Sequence, residues 1–192
     1  QRVRLRSMET SHEFPGRFFG AALLSGISAM LFLSLDILLV KHFLPPRLAG
    51  EYVLLSLVGK MIYFFGSLPN AFMITLVGRD EGMKRSSVRT FALLFGSTAM
   101  LVAVAVVSLG FFGSVSLPLL FGDKAYSILA YLKSYTVALA LFTLSNVIVV
   151  YHLSRKRYAF PAASLVSSVV MSIGMLLYHR SIADVVNVIF AS

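Results

Sequence analysis

Residues 18–77 read FFGAALLSGISAMLFLSLDILLVKHFLPPRLAGEYVLLSLVGKMIYFFGSLPNAFMITLV, and this stretch decides the fold. Two long apolar runs flank the break His42-Phe43-Leu44-Pro45-Pro46-Arg47-Leu48-Ala49-Gly50-Glu51; one acid, Asp36, interrupts the first run and one base, Lys60, the second. If both runs cross a bilayer as antiparallel helices turning near Leu48, each ionisable residue lies twelve positions from the turn. The two then share a depth and can meet. A charge in hydrocarbon costs on the order of 3 kcal/mol, so such residues face a bundle interior or a wet cavity and find a partner. Asp36 with Ser25, Ala22 and Ala29, and Lys60 with Ser56, Tyr63, Ser67 and Asn70, form the polar, small-residue stripes expected of inward faces. Two roles remain open for the pair: a structural ion pair that fixes helix register, or a direct part in transport.

Composition agrees with a membrane protein. Of 192 residues, 58% are apolar and 13% charged, with a mean hydropathy of +0.85; an ordinary soluble domain has about 25% charged residues. The net charge of +9 comes from short basic clusters between apolar runs, which argues for topology and against nucleic acid as a partner. With no cysteine, neither disulfides nor a thiolate metal site is available. No signal peptide is evident, and the start at Gln1 together with an apolar run cut short at Ser192 suggests a piece of a longer protein.

Outward from the hairpin, residues 1–17 read as a basic cytoplasmic segment or interhelix loop, with Arg2, Arg4 and Arg6 near anionic head groups. Spans are expected at about 18–43, 52–77, 90–110, 128–153 and 159–178, with an incomplete sixth at 182–192. Pro69 should bend the second span near Ser67 and Asn70. Gly113 and Pro118 should end a helix and leave a short interfacial segment. On the fourth span Lys133, Thr136, Ala140, Thr143 and Asn146 share a face, and Asn146 serves either as a ligand contact or as a hydrogen bond between helices. Asp80-Glu81 is expected to be balanced by Arg79 and Lys84.

Arg2, Arg4, Arg6, Arg17, Arg79, Lys84, Arg85, Arg89, Arg155, Lys156 and Arg157 fall on one side. Lys41, Arg47, Lys124 and Arg180 fall on or near the other. Eleven against four orients the N-terminal segment to the cytoplasm. No phosphate-cradling GxxxxGK[ST], HExxH or GxSxG motif occurs, so no enzyme activity, cofactor, catalytic residue or metal site is expected.

Particular runs resemble a known family. Ser34-Leu35-Asp36-Ile37-Leu38-Leu39-Val40-Lys41-His42-Phe43-Leu44, Ala49-Gly50-Glu51-Tyr52, Leu120-Phe121-Gly122 and Tyr151-His152-Leu153-Ser154-Arg155-Lys156-Arg157-Tyr158 are similar to the second half of polysaccharide-biosynthesis exporters. These belong to the multidrug, oligosaccharidyl-lipid and polysaccharide exporter superfamily. The resemblance implies an all-α integral membrane fold, with this chain as one six-helix bundle of a MATE-like two-bundle transporter working by alternating access in the cytoplasmic membrane. It further implies flipping of a polyprenyl-diphosphate-linked oligosaccharide for surface polysaccharide, with membrane lipids, H+ or Na+ and polysaccharide assembly proteins as partners. The diphosphate would need Lys60, Lys41 and Lys133; Tyr63, Asn70 and Asn146 would add polar contacts, and Asp36 would pair with Lys60 or couple an ion. A multidrug or small-cation antiporter of the same fold and a non-catalytic subunit of a polysaccharide assembly complex are the alternatives. One bundle cannot enclose the cavity, so either the other half belongs to the same protein or two copies pair.

Overall fold

The structure, a computed structural model, describes residues 16–178 and 181–191. The expectations for Arg2, Arg4, Arg6 and Arg180 lie outside the described residues. Every element described is helical: α1 Gly16–Phe43, α2 Pro46–Ser67, α3 Asn70–Gly82, α4 Val88–Ala105, α5 Gly113–Phe121, α6 Leu129–Ser154, α7 Ala159–Leu177 and α8 Ile182–Ala191. A π-helical stretch, Val106–Phe111, extends α4, and a 3₁₀ stretch, Gly122–Ile128, leads into α6.

Local chemistry sets most of these boundaries. α1 runs without proline for 28 residues and stops before Pro45-Pro46, where the missing N–H groups and the bias of a pre-proline residue toward extended backbone end a helix. Pro46 then opens α2, a position whose N–H would be unpaired anyway. Pro69 divides α2 from α3, as expected; the Leu68 amide falls back on the Phe65 carbonyl at 3.4 Å. The helix end expected near Gly113 is present, but Pro118 does not break the run that follows. Residues 113–121 form a nine-residue helix with Pro118 inside it, and Gly122, at φ +68°, turns the chain into the 3₁₀ stretch. Glycine takes that conformation without the steric cost other residues bear.

Five helical stretches are long and apolar enough to cross a membrane: Gly16–Phe43, Pro46–Gly82, Val88–Phe111, Gly113–Ser154 and Ala159–Leu177. α8 is apolar but only 10 residues long, short of a bilayer span. The chain is thus an all-helical, multi-pass membrane protein.

Its core is mainly apolar, with Tyr52, Leu55, Val58, Ile62, Leu132 and Met171 buried, but the outside is apolar as well. Large apolar side chains such as Met30, Met100, Val115 and Leu119 lie on the outside, while Ser28, Asp36, Ser56, Thr98, Thr136, Thr143 and Ser168 are buried. Lipid leaves no hydrophobic gain for helix association, so close approach of small residues and interhelical hydrogen bonds carry it. α6 is the hub and touches every other helix. α2 approaches it through glycine: a Cβ at Gly59 would collide with the Tyr135 ring and stand 2.9 Å from Leu139 Cγ. α1 packs chiefly on α7, where Ser28 Oγ lies 2.7 Å from Ser164 Oγ and 2.9 Å from Ser168 Oγ.

Candidate functional site

α1, α2 and α6 meet around Asp36, which is 1% exposed. Its Oδ2 accepts hydrogen bonds from the Tyr52 hydroxyl at 2.9 Å, the Ser56 hydroxyl at 3.1 Å and the Tyr135 hydroxyl at 3.4 Å. The Tyr52 and Tyr135 rings stand edge to face, with centroids 6.1 Å apart, and close the cage with apolar surface. Oδ1 has no hydrogen-bond partner. The Ile37 amide lies close to the carboxylate but serves the α1 ladder.

The expected ion pair with Lys60 is not formed. Lys60 is half-buried and reaches Asp36 only through its longer-range field. The reason is the position of the turn. α1 ends at Phe43 and α2 begins at Pro46, so the fold-back centres on Leu44, four residues before the expected Leu48. Counting eight residues either way from Leu44 joins Asp36 to Tyr52. At 1.5 Å per residue, Lys60 lies about 12 Å farther along α2 than Tyr52.

A second polar link joins α2 to α6: Asn146 Nδ2 donates to the Tyr63 hydroxyl at 3.1 Å. Tyr63 also leans on Phe142, with ring centroids 5.6 Å apart, and Phe142 stacks on Phe32 of α1 at 3.7 Å and 2° between planes. Phe142 and Phe32 line a cleft of about 450 Å³ between α6 and α7, flanked by α1 and α8. Phe32, Phe142, Phe160, Ser145, Asn146 and Ser164 are among its lining residues, and none of the lining residues is charged. Aromatic faces and hydroxyls without a fixed charge suit a neutral or amphiphilic ligand.

The other expected site residues are dispersed. Lys41, in the last turn of α1, is exposed. Lys133 is also exposed and holds its ammonium 5.8 Å from the Phe111 ring centroid. Asn70 opens α3 just past Pro69, with its buried Oδ1 lacking a partner. Thr136 and Thr143 turn away from ligand chemistry. Their hydroxyls bond to Lys133 O and Leu139 O, and they pack where Gly110 and Gly66 allow close approach.

Tyr52 and Tyr135 were not anticipated around Asp36. Tyr52 was legible in principle, since reflecting Asp36 through the residue before Pro45 lands on it. Tyr135 lies 99 positions from Asp36, and no local pattern links them.

At the end of the bundle marked by the α3–α4 and α6–α7 turns, charge is also arranged differently from expectation. Glu81 is balanced by Arg155, at 2.9 Å, and not by Arg79 or Lys84. Asp80 accepts from Thr90 Oγ1 at 2.5 Å. The Tyr151 hydroxyl, with Glu81 adding to it, raises Arg155 from its ordinary guanidinium value. No family model, curated protein or solved structure matches this chain.

Proposed function

We propose that this chain is one helical bundle of an alternating-access transporter that flips a polyprenyl-diphosphate-linked oligosaccharide, with Asp36 as its ion-coupling group. The observation that carries the reading is the Asp36 cage. A carboxyl group deep in a membrane bundle has one oxygen held by three hydroxyls and the other without a hydrogen-bond partner. Buried ionisable groups in membranes are expensive and belong to ion or substrate pathways. The bare Oδ1 offers a place for a proton or a sodium ion. Because the cage joins α1, α2 and α6, filling it changes how three helices are held together.

The neighbouring cleft supports an oligosaccharide better than its diphosphate. Its rings can stack on sugar faces, and Ser145, Asn146 and Ser164 can exchange hydrogen bonds with sugar hydroxyls. The diphosphate calls for cations, and Lys60 is the half-buried base left for that role. The charge bias of the loops supports a cytoplasmic N-terminal segment in a cytoplasmic membrane.

In the full-length protein, Asp36→Asn and Lys60→Ala are expected to abolish surface polysaccharide while membrane protein levels stay normal. Normal polysaccharide with Asp36→Asn would end the coupling role, and disappearance of Lys60→Ala from the membrane would make Lys60 structural. The uncharged aromatic cleft favours one second reading, an antiporter for amphiphilic drugs. Drug resistance conferred by the full-length gene, with normal polysaccharide in its deletion, would select that reading.

A further inference from the structure

A second cavity, about 360 Å³ in volume, lies at the opposite end of α6 from Lys133. Its walls are Glu81, Lys84, Arg85, Ser86, Ser87, Val88 and Arg155, contributed by the end of α3, the turn after it, the first residue of α4 and the first residue after α6. Three cations therefore converge against one carboxylate. That carboxylate is already engaged: Glu81 Oε1 lies 2.9 Å from Arg155 Nε in an ion pair and accepts a hydrogen bond from the Ser87 hydroxyl at 2.9 Å.

Backbone hydrogen bonds within the turn hold Lys84 and Arg85. Their amides are tied to the Glu81 and Asp80 carbonyls, at 3.1 and 2.9 Å, and Lys84 sits at φ +53°. This fixes the direction in which two adjacent cationic side chains leave the backbone, and neither takes part in any ion pair or side-chain hydrogen bond among the described residues. Arg155 is held opposite them by Tyr151, whose hydroxyl accepts from Nη1 at 3.3 Å and whose ring lies 5.6 Å from Cζ. Met83 and Val88, at either side of the turn, are exposed and apolar. The crevice thus combines surplus positive charge with an apolar border, the chemistry of the region where a bilayer's head groups meet its hydrocarbon.

We infer that Lys84, Arg85 and Arg155 form a binding site for a phosphate group, supplied by the head group of an anionic membrane lipid whose acyl chains run past Met83 and Val88. Arginine presents paired N–H groups to phosphate oxygens, and lysine adds a mobile point charge. Occupancy bridges the α3–α4 turn to the end of α6, so the lipid braces this end of the bundle. The inference does not depend on the transported substrate.

The experiment uses the full-length protein in nanodiscs of phosphatidylcholine alone or with one quarter or so phosphatidylglycerol. Phosphatidylglycerol is expected to raise the melting temperature and to be retained through native mass spectrometry after release from the disc. In Lys84→Asn/Arg85→Gln, where Asn tolerates the positive φ, that retention should fall on the order of 20-fold. Melting in pure phosphatidylcholine should be unchanged. Arg47→Gln, at the other end of the bundle, should retain the lipid normally. Equal retention by the double variant and the parent would overturn the site. A matching stabilisation by millimolar inorganic phosphate in phosphatidylcholine discs, lost in the double variant, would overturn the lipid source and make the ligand a soluble phosphate.

Discussion

The Tyr52 hydroxyl donates a hydrogen bond to Asp36 Oδ2 across 2.9 Å, tying the second helix to the first about two turns from the fold-back at Leu44. Tyr52 is completely buried, so water cannot replace the bond if either partner is changed. The acid that interrupts α1 is therefore held by neutral hydroxyls, and its relation to Lys60 is one of field and not of contact.

Tyr52→Phe should lower stability by about 1.5–3 kcal/mol, the range for a hydrogen bond to a charged partner. Lys60→Ala should cost clearly less, because no ion pair is broken. Chemical unfolding in detergent measures both. A Lys60→Ala loss equal to that of Tyr52→Phe would restore the ion pair as the organising contact.

Gly59 marks the closest approach of α2 to α6. Gly59→Ala pushes a methyl group into the Tyr135 ring and Leu139, and overpacking of this kind costs about 1–3 kcal/mol. Gly96→Ala is the control. Nothing lies within 4 Å of its added Cβ, and alanine in a helix gains roughly 0.5–1 kcal/mol over glycine. Opposite shifts in melting temperature are the expected result.

The serines between α1 and α7 should couple in a double-mutant cycle. Either Ser28→Ala or Ser168→Ala breaks the 2.9 Å contact between the two hydroxyls, whereas the 3.1 Å bond from Ser168 Oγ to the Ser28 carbonyl is lost only in Ser168→Ala. Membrane hydrogen bonds average about 0.6 kcal/mol in such cycles. A coupling of that size is expected, and strictly additive effects would mean that packing alone holds these helices.

Asn146 has two neighbours of different meaning, the Tyr63 hydroxyl and the cleft. Tyr63→Phe removes only the interhelical bond, whereas Asn146→Ala also removes a polar group from the cleft wall. Transport assays on the full-length protein should give a larger rise in KM for Asn146→Ala. Equal effects would reduce Asn146 to a tether.

The long apolar helices, the end of α1 near Phe43 and the break at Pro69 were readable because each depends on a short run of residues. An apolar run of some twenty residues specifies a membrane helix wherever it occurs, and proline ends or bends a helix by its own covalent geometry. The carboxyl at Asp36 was readable as an inward-facing group for the same reason: hydrocarbon penalises charge whatever surrounds it.

Its partners were decided by tertiary structure. A shift of four residues in the turn replaced Lys60 by Tyr52 at the level of Asp36, since each residue advances a helix by only about 1.5 Å. Tyr135 arrived from a helix far along the chain, positioned by the α2–α6 contact at Gly59. Lys41 and Lys133 share the apolar runs' sequence neighbourhood yet lie exposed, because rotation of a helix about its axis is set by the helices packed against it. Composition and spacing thus determined which segments form long apolar helices and that Asp36 must be sheltered among them. Only the packing of α1, α2 and α6 determined that hydroxyls, and not an ammonium, do the sheltering.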